Sequence, residues 1–341
     1  MGTFVTYSMV VLGLSVLVIV HETGHYLVAR AFGMKVLRYS IGIGPTLFRY
    51  KPRNSPTTFQ VCAIPFAAYV QIAGMNPFEE VDEKDPGLFS NKSLLGRVLT
   101  VAAGPAANYL LASVVVFGLV TTGWTQAVVG EVFDDSPAQA AGLREGDIIV
   151  RANHKPVYRW EDLILATAQR ADKPTQYVIM RDGKELPVQT ITPELKEGRG
   201  IIGVYRGEPA YRPTTIGEAA RAAVVVPMNV TLLQVYGLYD QISRRTTDGL
   251  VGPVGMGKII SNRVEQGWFE YLFILVMLSV ALGFFNLLPF PALDGGRLVF
   301  LAYEAITRRR PSERFEAAVH TLGFVILLSL VAFVTMRDIW G

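Results

Sequence analysis

The sequence has a single cysteine, few histidines and few charged residues. Cys62 has no partner for an intrachain disulfide, and a thiolate metal cluster is excluded, so this side chain is interpreted as a small buried apolar residue. Because the 341 residues include four histidines, any metal site must use some of them and complete its ligand set with carboxylates. Charged residues make up 18% of the chain, against about a quarter in soluble globular proteins. This deficit indicates a membrane protein.

The sequence also lacks a strong excess of either charge. Its formal net charge of +3 is too small to create the basic field that holds phosphate groups, so no nucleic acid is expected as a partner. Long apolar runs near both ends of the sequence exclude a disordered chain. The composition instead predicts the lipid bilayer as the surroundings of much of this chain.

Four apolar stretches are long enough to cross the hydrocarbon core, which takes about 20 helical residues. They cover residues 4–31, 94–120, 269–288 and 317–336. A fifth stretch, 222–239, is also apolar, but Pro227, Asn229 and Gln234 favour a helix on the outer membrane face over a span. The predicted fold class is therefore a polytopic α-helical membrane protein with four transmembrane helices.

Basic residues are concentrated in two loops. Lysine and arginine recur between spans one and two, and again between spans three and four, where Arg308, Arg309 and Arg310 are consecutive. By the positive-inside rule both loops face the cytoplasm, and both termini and the long segment between spans two and three lie outside. A fifth crossing over 222–239 would place the three consecutive arginines outside, against this rule.

Residues 126–206 have a different character, because short β-branched runs alternate there with turn signals, and residues 160–170 favour a short helix. The segment SPAQAAGLREGD at 136–147 resembles the signature of bacterial PDZ domains, which bind an extended peptide at a sheet edge. We therefore expect one inserted α+β PDZ domain over 126–206. A PDZ fold that acts as a spacer is the alternative. His154 lies in a polar turn and is interpreted as a surface residue.

The PDZ domain separates the two halves of a predicted membrane core. The first half, 1–125, contains spans one and two, and the second half, 263–341, contains spans three and four; an outer amphipathic helical linker is expected over 207–262. Within the first half, residues 36–70 mix glycine and proline with apolar and aromatic residues, which is too apolar for a solvated loop and too broken for a helix. A β-hairpin that dips into the membrane and a hairpin on its surface both fit this composition.

The pattern HETGH occupies residues 21–25, near the inner end of the first span. Residues i and i+4 share one face of a helix, so His21 and His25 can reach the same metal ion, with Glu22 beside the attacking water. Polar side chains at this depth are costly unless they are paired or bound to a metal. The pattern therefore predicts a metal site rather than polar residues that snorkel from a span end.

A catalytic zinc takes three protein ligands and keeps its fourth position open. The better candidate for the third ligand is Asp294, because two prolines and two glycines in NLLPFPALDGG break the helix there, at the depth of the HETGH motif. Asp294 could otherwise be a turn or N-cap residue of the next helix. His154 is too remote, and His320, at the start of the fourth span, is the weaker alternative.

These motifs, in this order and with a PDZ insert between spans two and three, resemble the site-2 protease family, and more closely its bacterial PDZ-containing intramembrane zinc metalloproteases. The resemblance covers essentially the whole chain, although some members carry two PDZ domains and this insert has room for one. It implies that His21, His25 and Asp294 bind one Zn²⁺ per chain and that Glu22 is the catalytic residue.

The same resemblance extends to two asparagines. GPAAN at 104–108 resembles the second-span motif of the family, which implies that Asn108 binds substrate near the scissile bond or supports the transition state. Asn286 corresponds to an asparagine of the third span with a similar supporting role. From the residues alone, either asparagine could simply form an interhelical hydrogen bond.

The resemblance implies hydrolysis of a peptide bond in or near the transmembrane segment of single-span membrane proteins that another protease has already trimmed. Anti-sigma factors and remnant signal peptides are such substrates, and the expected location is the bacterial cytoplasmic membrane. One alternative is a non-enzymatic membrane-anchored PDZ adaptor with a structural metal site, but an adaptor needs no general base such as Glu22. A metal transporter is the other, but it would spread its ligands along a pore.

Overall fold

The computed structural model describes residues 3–75, 82–122, 124–196, 198–208, 211–212, 215–244 and 251–340. The chain divides into two compact units, one formed by Met1–Ala112 with Gln234–Gly341 and the other by Ser113–Leu233. Of the predicted linker over 207–262, residues 209–210, 213–214 and 245–250 lie outside the described part of the chain.

Helices and strands alternate along the described chain. The helices are α1 (Thr3–Ala31), α2 (Leu94–Thr122), α3 (Pro137–Ala140), α4 (Trp160–Ala168), α5 (Ile216–Arg244), α6 (Pro253–Gln266), α7 (Trp268–Leu287), α8 (Asp294–Thr307) and α9 (Glu313–Trp340). The strands are β1 (Val36–Tyr50), β2 (Thr58–Ile72), β3 (Trp124–Thr125), β4 (Ala127–Val132), β5 (Ile148–Ala152), β6 (Lys155–Pro156), β7 (Thr175–Arg181), β8 (Lys184–Glu185), β9 (Gln189–Ile191), β10 (Glu194–Lys196), β11 (Arg199–Ile201), β12 (Val204–Arg206) and β13 (Tyr211–Arg212).

Five of the described helices, α1, α2, α5, α7 and α9, are long and apolar enough to cross a membrane. This confirms a polytopic membrane protein, but the count differs from the predicted four by α5. The polar residues that argued against α5 have partners in the fold. Asn229 Nδ2 donates to Asp162 Oδ1 at 2.7 Å, and Gln234 Nε2 donates to Met277 O at 3.3 Å. The amide nitrogens of both side chains are therefore paired within the protein.

In the first unit, α1 and α7 run in the same direction and α2 runs opposite to both. Near the start of α1 and α7, Tyr271 Oη donates to Met9 O at 2.9 Å. At the middle of α2, Asn108 O accepts from Ser279 Oγ of α7 at 2.9 Å. The short helix α6 covers the starting ends of α1 and α7 through a buried apolar cluster. The three long helices therefore form a packed layer with hydrogen bonds between neighbouring helices.

Strands β1 and β2 form a hairpin that folds back on itself. Residues 38–41 pair with 58–61 on one side and with 68–71 on the other, while 46–50 pair with 59–62. The segment 68–71 is consequently one edge of this small sheet and 46–50 is the other. The β structure expected over 36–70 is present, with strands that cover 36–50 and 58–72.

The second unit contains a seven-stranded antiparallel sheet in the order β12-β4-β5-β7-β8, with β6 on β5 and β9 on β7. Alternate residues of its central strands, among them Val129, Ile149 and Ile179, are buried against α4 and its neighbours. The first half of α5 belongs to this unit and buries one apolar face, which includes Ala222 and Val226. Strands cover most of the β-branched runs expected within 126–206, although residues 186–188 are not in a strand, and α4 covers Trp160–Ala168 of the helix expected over 160–170. The assignment of this unit as a PDZ domain stays a prediction.

Candidate metal centre

The structure brings His21, His25 and Asp294 together inside the first unit. His21 and His25 lie one turn apart on α1 and are 7% and 8% exposed. Their Nε2 atoms are 3.2 Å apart, and Asp294 Oδ2 lies 3.1 Å from the first and 3.3 Å from the second. In the part of the chain that the structure describes, this is the one group of three such residues able to hold a metal ion.

The spacing of these three atoms fits zinc. A tetrahedral zinc with ligand distances of about 2.0–2.1 Å separates neighbouring ligand atoms by about 3.3 Å. The three separations found here, 3.1, 3.2 and 3.3 Å, form a nearly equilateral triangle of that size. Two imidazoles and one carboxylate are also a donor set that zinc accepts, and three protein ligands leave a fourth position open for catalysis.

Each imidazole is held through its other nitrogen. His25 Nδ1 lies 2.8 Å from Thr100 O, a backbone acceptor on α2, so Nδ1 carries the proton and the lone pair of Nε2 could bind a metal ion. His21 Nδ1 lies 3.2 Å from the side-chain nitrogen of Asn108, which is fully buried on the same helix. The second helix therefore positions both histidines of the first.

Gly104 makes this close approach of the two helices possible. A Cβ atom at this position would collide with His25 Nε2 and would lie 2.8 Å from His21 Nε2. Both are candidate ligand atoms, so any larger residue at 104 would occupy the space that a metal ion bound by them would need. Only glycine leaves that space open.

Glu22 follows His21 directly on α1 and is half-buried beside the three ligands. Its carboxylate interacts electrostatically with both histidines and with Asp294, and it accepts a hydrogen bond from the backbone N–H of Val70 in β2. The hairpin strand therefore reaches the Glu22 carboxylate. A carboxylate next to the open position of a zinc site is suited to accept a proton from water.

Asp294 is not the N-cap of the helix that it begins. The N-cap of α8 is Leu293, which makes no side-chain capping bond, whereas the Asp294 carboxylate points to the two histidines. The turn that precedes it contains Ala292 in the left-handed region at φ 75°. The metal-ligand interpretation of Asp294 therefore describes its contacts, and the N-cap alternative does not.

The remaining candidate residues have other surroundings. Asn286 donates Nδ2 to Leu282 O in the preceding turn of α7, and among the described residues it makes no hydrogen bond to the metal-ligating group. His320 accepts the N–H of Ala292 and is not one of the three ligands. His154 is an exposed turn residue of the second unit, and Cys62 is buried, as expected for each.

Sequence reasoning missed Thr100, Gly104 and Val70. Thr100 and Val70 make their contacts through backbone atoms, which almost every residue type has. The residue type at these two positions therefore gives sequence analysis no indication of their role. Gly104 does have a signal, since a glycine inside the apolar second span lowers helix stability and is retained where a close approach requires it.

Comparison with known proteins supports the chemistry of this centre. Residues 9–330 match the model of peptidase family M50. A protein of Mesorhizobium japonicum is 35% identical over the whole of this chain and 99% of its own length. Metalloprotease MmpA of Caulobacter vibrioides is 30% identical, with 96% of this chain and 93% of the relative covered. Zinc metalloprotease RasP of Geobacillus kaustophilus is 29% identical, with 95% of each chain covered.

Proposed function

Since this chain belongs to peptidase family M50 and is a zinc metalloprotease, we propose that it hydrolyses peptide bonds in or near the transmembrane segments of single-span membrane proteins. The observation that carries the proposal is the position of the metal centre. His21 and His25 lie within α1, a helix with the length and hydropathy of a membrane span, and are almost fully buried. A protease for soluble substrates has no need to place its ligands on such a helix.

We assign the zinc ligands as His21, His25 and Asp294, and the general base as Glu22. Bound zinc supplies Lewis-acid chemistry, which acidifies a water molecule and polarises the scissile carbonyl. Glu22 takes the proton of the attacking water and then delivers it to the nitrogen of the leaving chain. Asn108 supports the transition state by holding His21, and the predicted supporting role of Asn286 stays a prediction.

A transmembrane helix hides its carbonyl groups in internal hydrogen bonds, so the substrate must unwind before it is cut. We propose that the unwound segment pairs with residues 68–71 of β2. This segment is an edge of the hairpin sheet, and the N–H of Val70 already points to Glu22.

Proline substitution tests the edge-strand model, since proline has no N–H to donate. In an antiparallel strand the N–H groups of alternate residues point to the same side, so Ala68 shares the outward direction of Val70. Ala68→Pro is expected to lower kcat/KM for a membrane reporter at least tenfold with zinc affinity unchanged. The matched control is Leu47→Pro on the opposite edge. Equal losses in both variants would contradict pairing at 68–71.

We further propose that the basic loops face the cytoplasm and that the second unit lies outside, in a bacterial cytoplasmic membrane. The packing supports this arrangement, because α2 ends on the side of the helix layer where α7 begins. If α5 crossed the membrane once between them, the end of α2 and the start of α7 would have to lie on opposite sides. Asn229, in the middle of α5, is instead bonded to Asp162 of the second unit, which suits a helix on the outer surface.

The second unit is proposed to be a PDZ domain that binds an extended peptide. Its strand β12 is an edge of the sheet, and a cavity of about 280 Å³ lies beside it, lined mainly by apolar residues such as Trp160, Ile164 and Val204. An edge strand beside an apolar cavity suits a peptide that adds one strand and inserts a side chain. Ile164→Arg should abolish binding of a labelled peptide with an apolar end, while Val188→Arg, exposed elsewhere in this unit, should not.

The proposed function is tested with a truncated single-span reporter and the purified full-length protein in lipid vesicles. We expect the wild type to cleave it, and neither Glu22→Gln nor a chelator-treated sample to do so. Cleavage of a soluble denatured protein without cleavage of the reporter would contradict the membrane substrate but not the metalloprotease. Cleavage that persists in Glu22→Gln would contradict the assigned base. If the protein binds zinc but cleaves neither substrate, the adaptor alternative would be favoured. Its membership of a peptidase family argues against that alternative.

A further inference from the structure

The turn between α7 and α8, just before the proposed zinc ligand Asp294, contains one residue in an unfavourable backbone conformation. Ala292, two residues before the ligand, has φ 75°, a region that costs energy for any residue with a Cβ atom. Such a residue keeps this conformation only where its surroundings enforce it. Since no glycine stands at 292, another group must hold the turn.

That group lies on α9. His320 Nδ1 accepts a hydrogen bond from the backbone N–H of Ala292 at 3.0 Å. A side chain of another helix therefore binds the backbone of the strained residue. The His320 side chain is 16% exposed, and its ring lies against Phe300 of α8 with 5.6 Å between centroids. One turn further along α9, Gly323 allows the helix to touch the same turn, because a Cβ atom there would lie 2.7 Å from Pro291 O.

We propose that His320 is a positioning residue for Asp294. Its uncharged imidazole accepts the Ala292 N–H and thereby holds the turn that directs the Asp294 carboxylate to His21 and His25. His320 touches neither the reacting atoms nor the metal, so it acts through the backbone of residues 292–294. The inference rests on the metal centre proposed above.

The hydrogen bond from the Ala292 N–H requires an acceptor atom at the position of His320 Nδ1. A residue that only filled space at 320 would not need this acceptor, so the two roles can be distinguished. In asparagine, Oδ1 occupies the place of the histidine Nδ1, whereas glutamine places its amide near Nε2. His320→Asn therefore keeps the acceptor for Ala292 and His320→Gln displaces it, although both variants are polar and uncharged. Ala292→Gly provides a second test, because glycine adopts the left-handed conformation without a stabilising contact from His320.

The experiment measures the zinc dissociation constant of the purified full-length protein by chelator competition, together with kcat and KM for a membrane reporter. Loss of a group that orients a metal ligand typically weakens metal binding by about 10–100-fold. We expect His320→Asn to remain within about threefold of the wild type and His320→Gln to bind zinc at least tenfold more weakly, with lower kcat and unchanged KM. Ala292→Gly should restore much of the affinity in the His320→Gln background.

Two results would overturn the inference: wild-type zinc affinity in His320→Gln, or equal losses in the asparagine and glutamine variants. Asp294→Ala separates this failure from failure of the metal centre itself. If Asp294→Ala retains wild-type zinc affinity, the assigned ligand set is wrong. If it loses zinc while His320→Gln does not, the ligand set stands and only the role of His320 is rejected.

Discussion

The side chain of Asn108 faces His21 across the contact of α1 and α2, with 3.2 Å between Asn108 Nδ2 and His21 Nδ1. Its Oδ1 is buried and has no hydrogen-bond partner among the described residues. When His21 Nε2 binds zinc, Nδ1 carries a proton and needs an acceptor. Rotation of the carboxamide by half a turn brings Oδ1 to that proton, so Asn108 is placed to orient a zinc ligand.

Substitution of Asn108 should therefore affect zinc affinity more than KM for the substrate. Asn108→Asp keeps an acceptor for His21 Nδ1 and is expected to hold zinc about as well as the wild type. Asn108→Leu has a similar shape without an acceptor and should weaken zinc binding by about 10–100-fold. The measurement is chelator competition, with KM for a membrane reporter measured in parallel. A raised KM with unchanged zinc affinity would support direct substrate contact instead.

Gly104→Ala should abolish zinc binding. The added methyl group would collide with His25 Nε2 and crowd His21 Nε2, both ligand atoms, and α2 cannot retreat without losing the Thr100 contact to His25. The expected result is a protein that purifies with less than a tenth of the wild-type zinc content, measured by elemental analysis. Gly118→Ala is the matched control on the same helix, since a Cβ atom there has open space around it. Equal zinc content in both variants would contradict the close-approach argument.

An ion pair between Arg97 and Glu304 should make stability depend on pH. Arg97 donates two hydrogen bonds to Glu304, at 2.8 and 2.7 Å, and Arg310 adds a third at 3.1 Å. The Arg97 hydrogen bonds, with help from Arg310, hold the pKa of Glu304 below its ordinary value of 4.5, against the effect of burial. Because the pKa of Glu304 is lower in the folded protein than in the unfolded chain, the carboxylate stabilises the fold at pH values above the unfolded-state pKa. This stabilisation is lost as the pH falls through the folded-state pKa.

We therefore expect Glu304→Gln to lower the Tm at pH 7, and the difference from the wild type to shrink as the pH falls below 4.5. The control is Asp85→Asn, which removes an exposed ion pair with Lys35. Exposed pairs contribute little to stability, so this variant should follow the wild type closely. Thermal unfolding of the detergent-solubilised protein across this pH range measures both. A Glu304→Gln difference that does not change with pH would show that the carboxylate charge is not what stabilises the contact.

Asp162 and Asn229 should be energetically coupled. The Asp162 carboxylate is 8% exposed and accepts hydrogen bonds from Asn229 Nδ2 and from the backbone N–H groups of Tyr158 and Arg159. Loss of one donor to a buried charged group typically costs about 1–3 kcal/mol. In a double-mutant cycle with Asp162→Leu and Asn229→Leu, the double variant should be little less stable than either single variant.

Thermal unfolding of the purified full-length protein, compared across the four members of the cycle, is the measurement. Met228→Leu, at a neighbouring exposed position of α5, should leave the Tm unchanged. Strictly additive effects of the two leucine substitutions would mean that the hydrogen bond does not hold α5 against the inserted sheet.

Local patterns in the sequence predicted the elements that carry the site. The apolar stretches 4–31, 94–120 and 269–288 coincide with α1, α2 and α7 to within a few residues. Helical spacing alone placed His21 and His25 on one face of α1. The helix break before Asp294 indicated a special turn, although the sequence separation of 273 between His21 and Asp294 prevents any local pattern from showing that they touch.

The sequence does not reveal contacts between residues that are distant along the chain. Asn229 and Gln234 were interpreted as favouring a surface helix over a span, but nothing local shows that Asp162 Oδ1 and Met277 O accept from their amide nitrogens. The double pairing of residues 38–41 was missed for a similar reason, since strand alternation does not show how many neighbours a strand has.

The sequence by itself determined the chemistry: two histidines at helical spacing with a glutamate between them, one carboxylate after a helix break, and long apolar helices that set them in a membrane protein. These features depend on side-chain identity and on the period of a single element. The tertiary structure alone decided the geometry of the centre. It placed Thr100 O and Asn108 behind the histidines, kept a space at Gly104, and brought His320 to the strained turn at Ala292. Such contacts depend on backbone atoms and on the approach of distant helices, which residue identity does not encode locally.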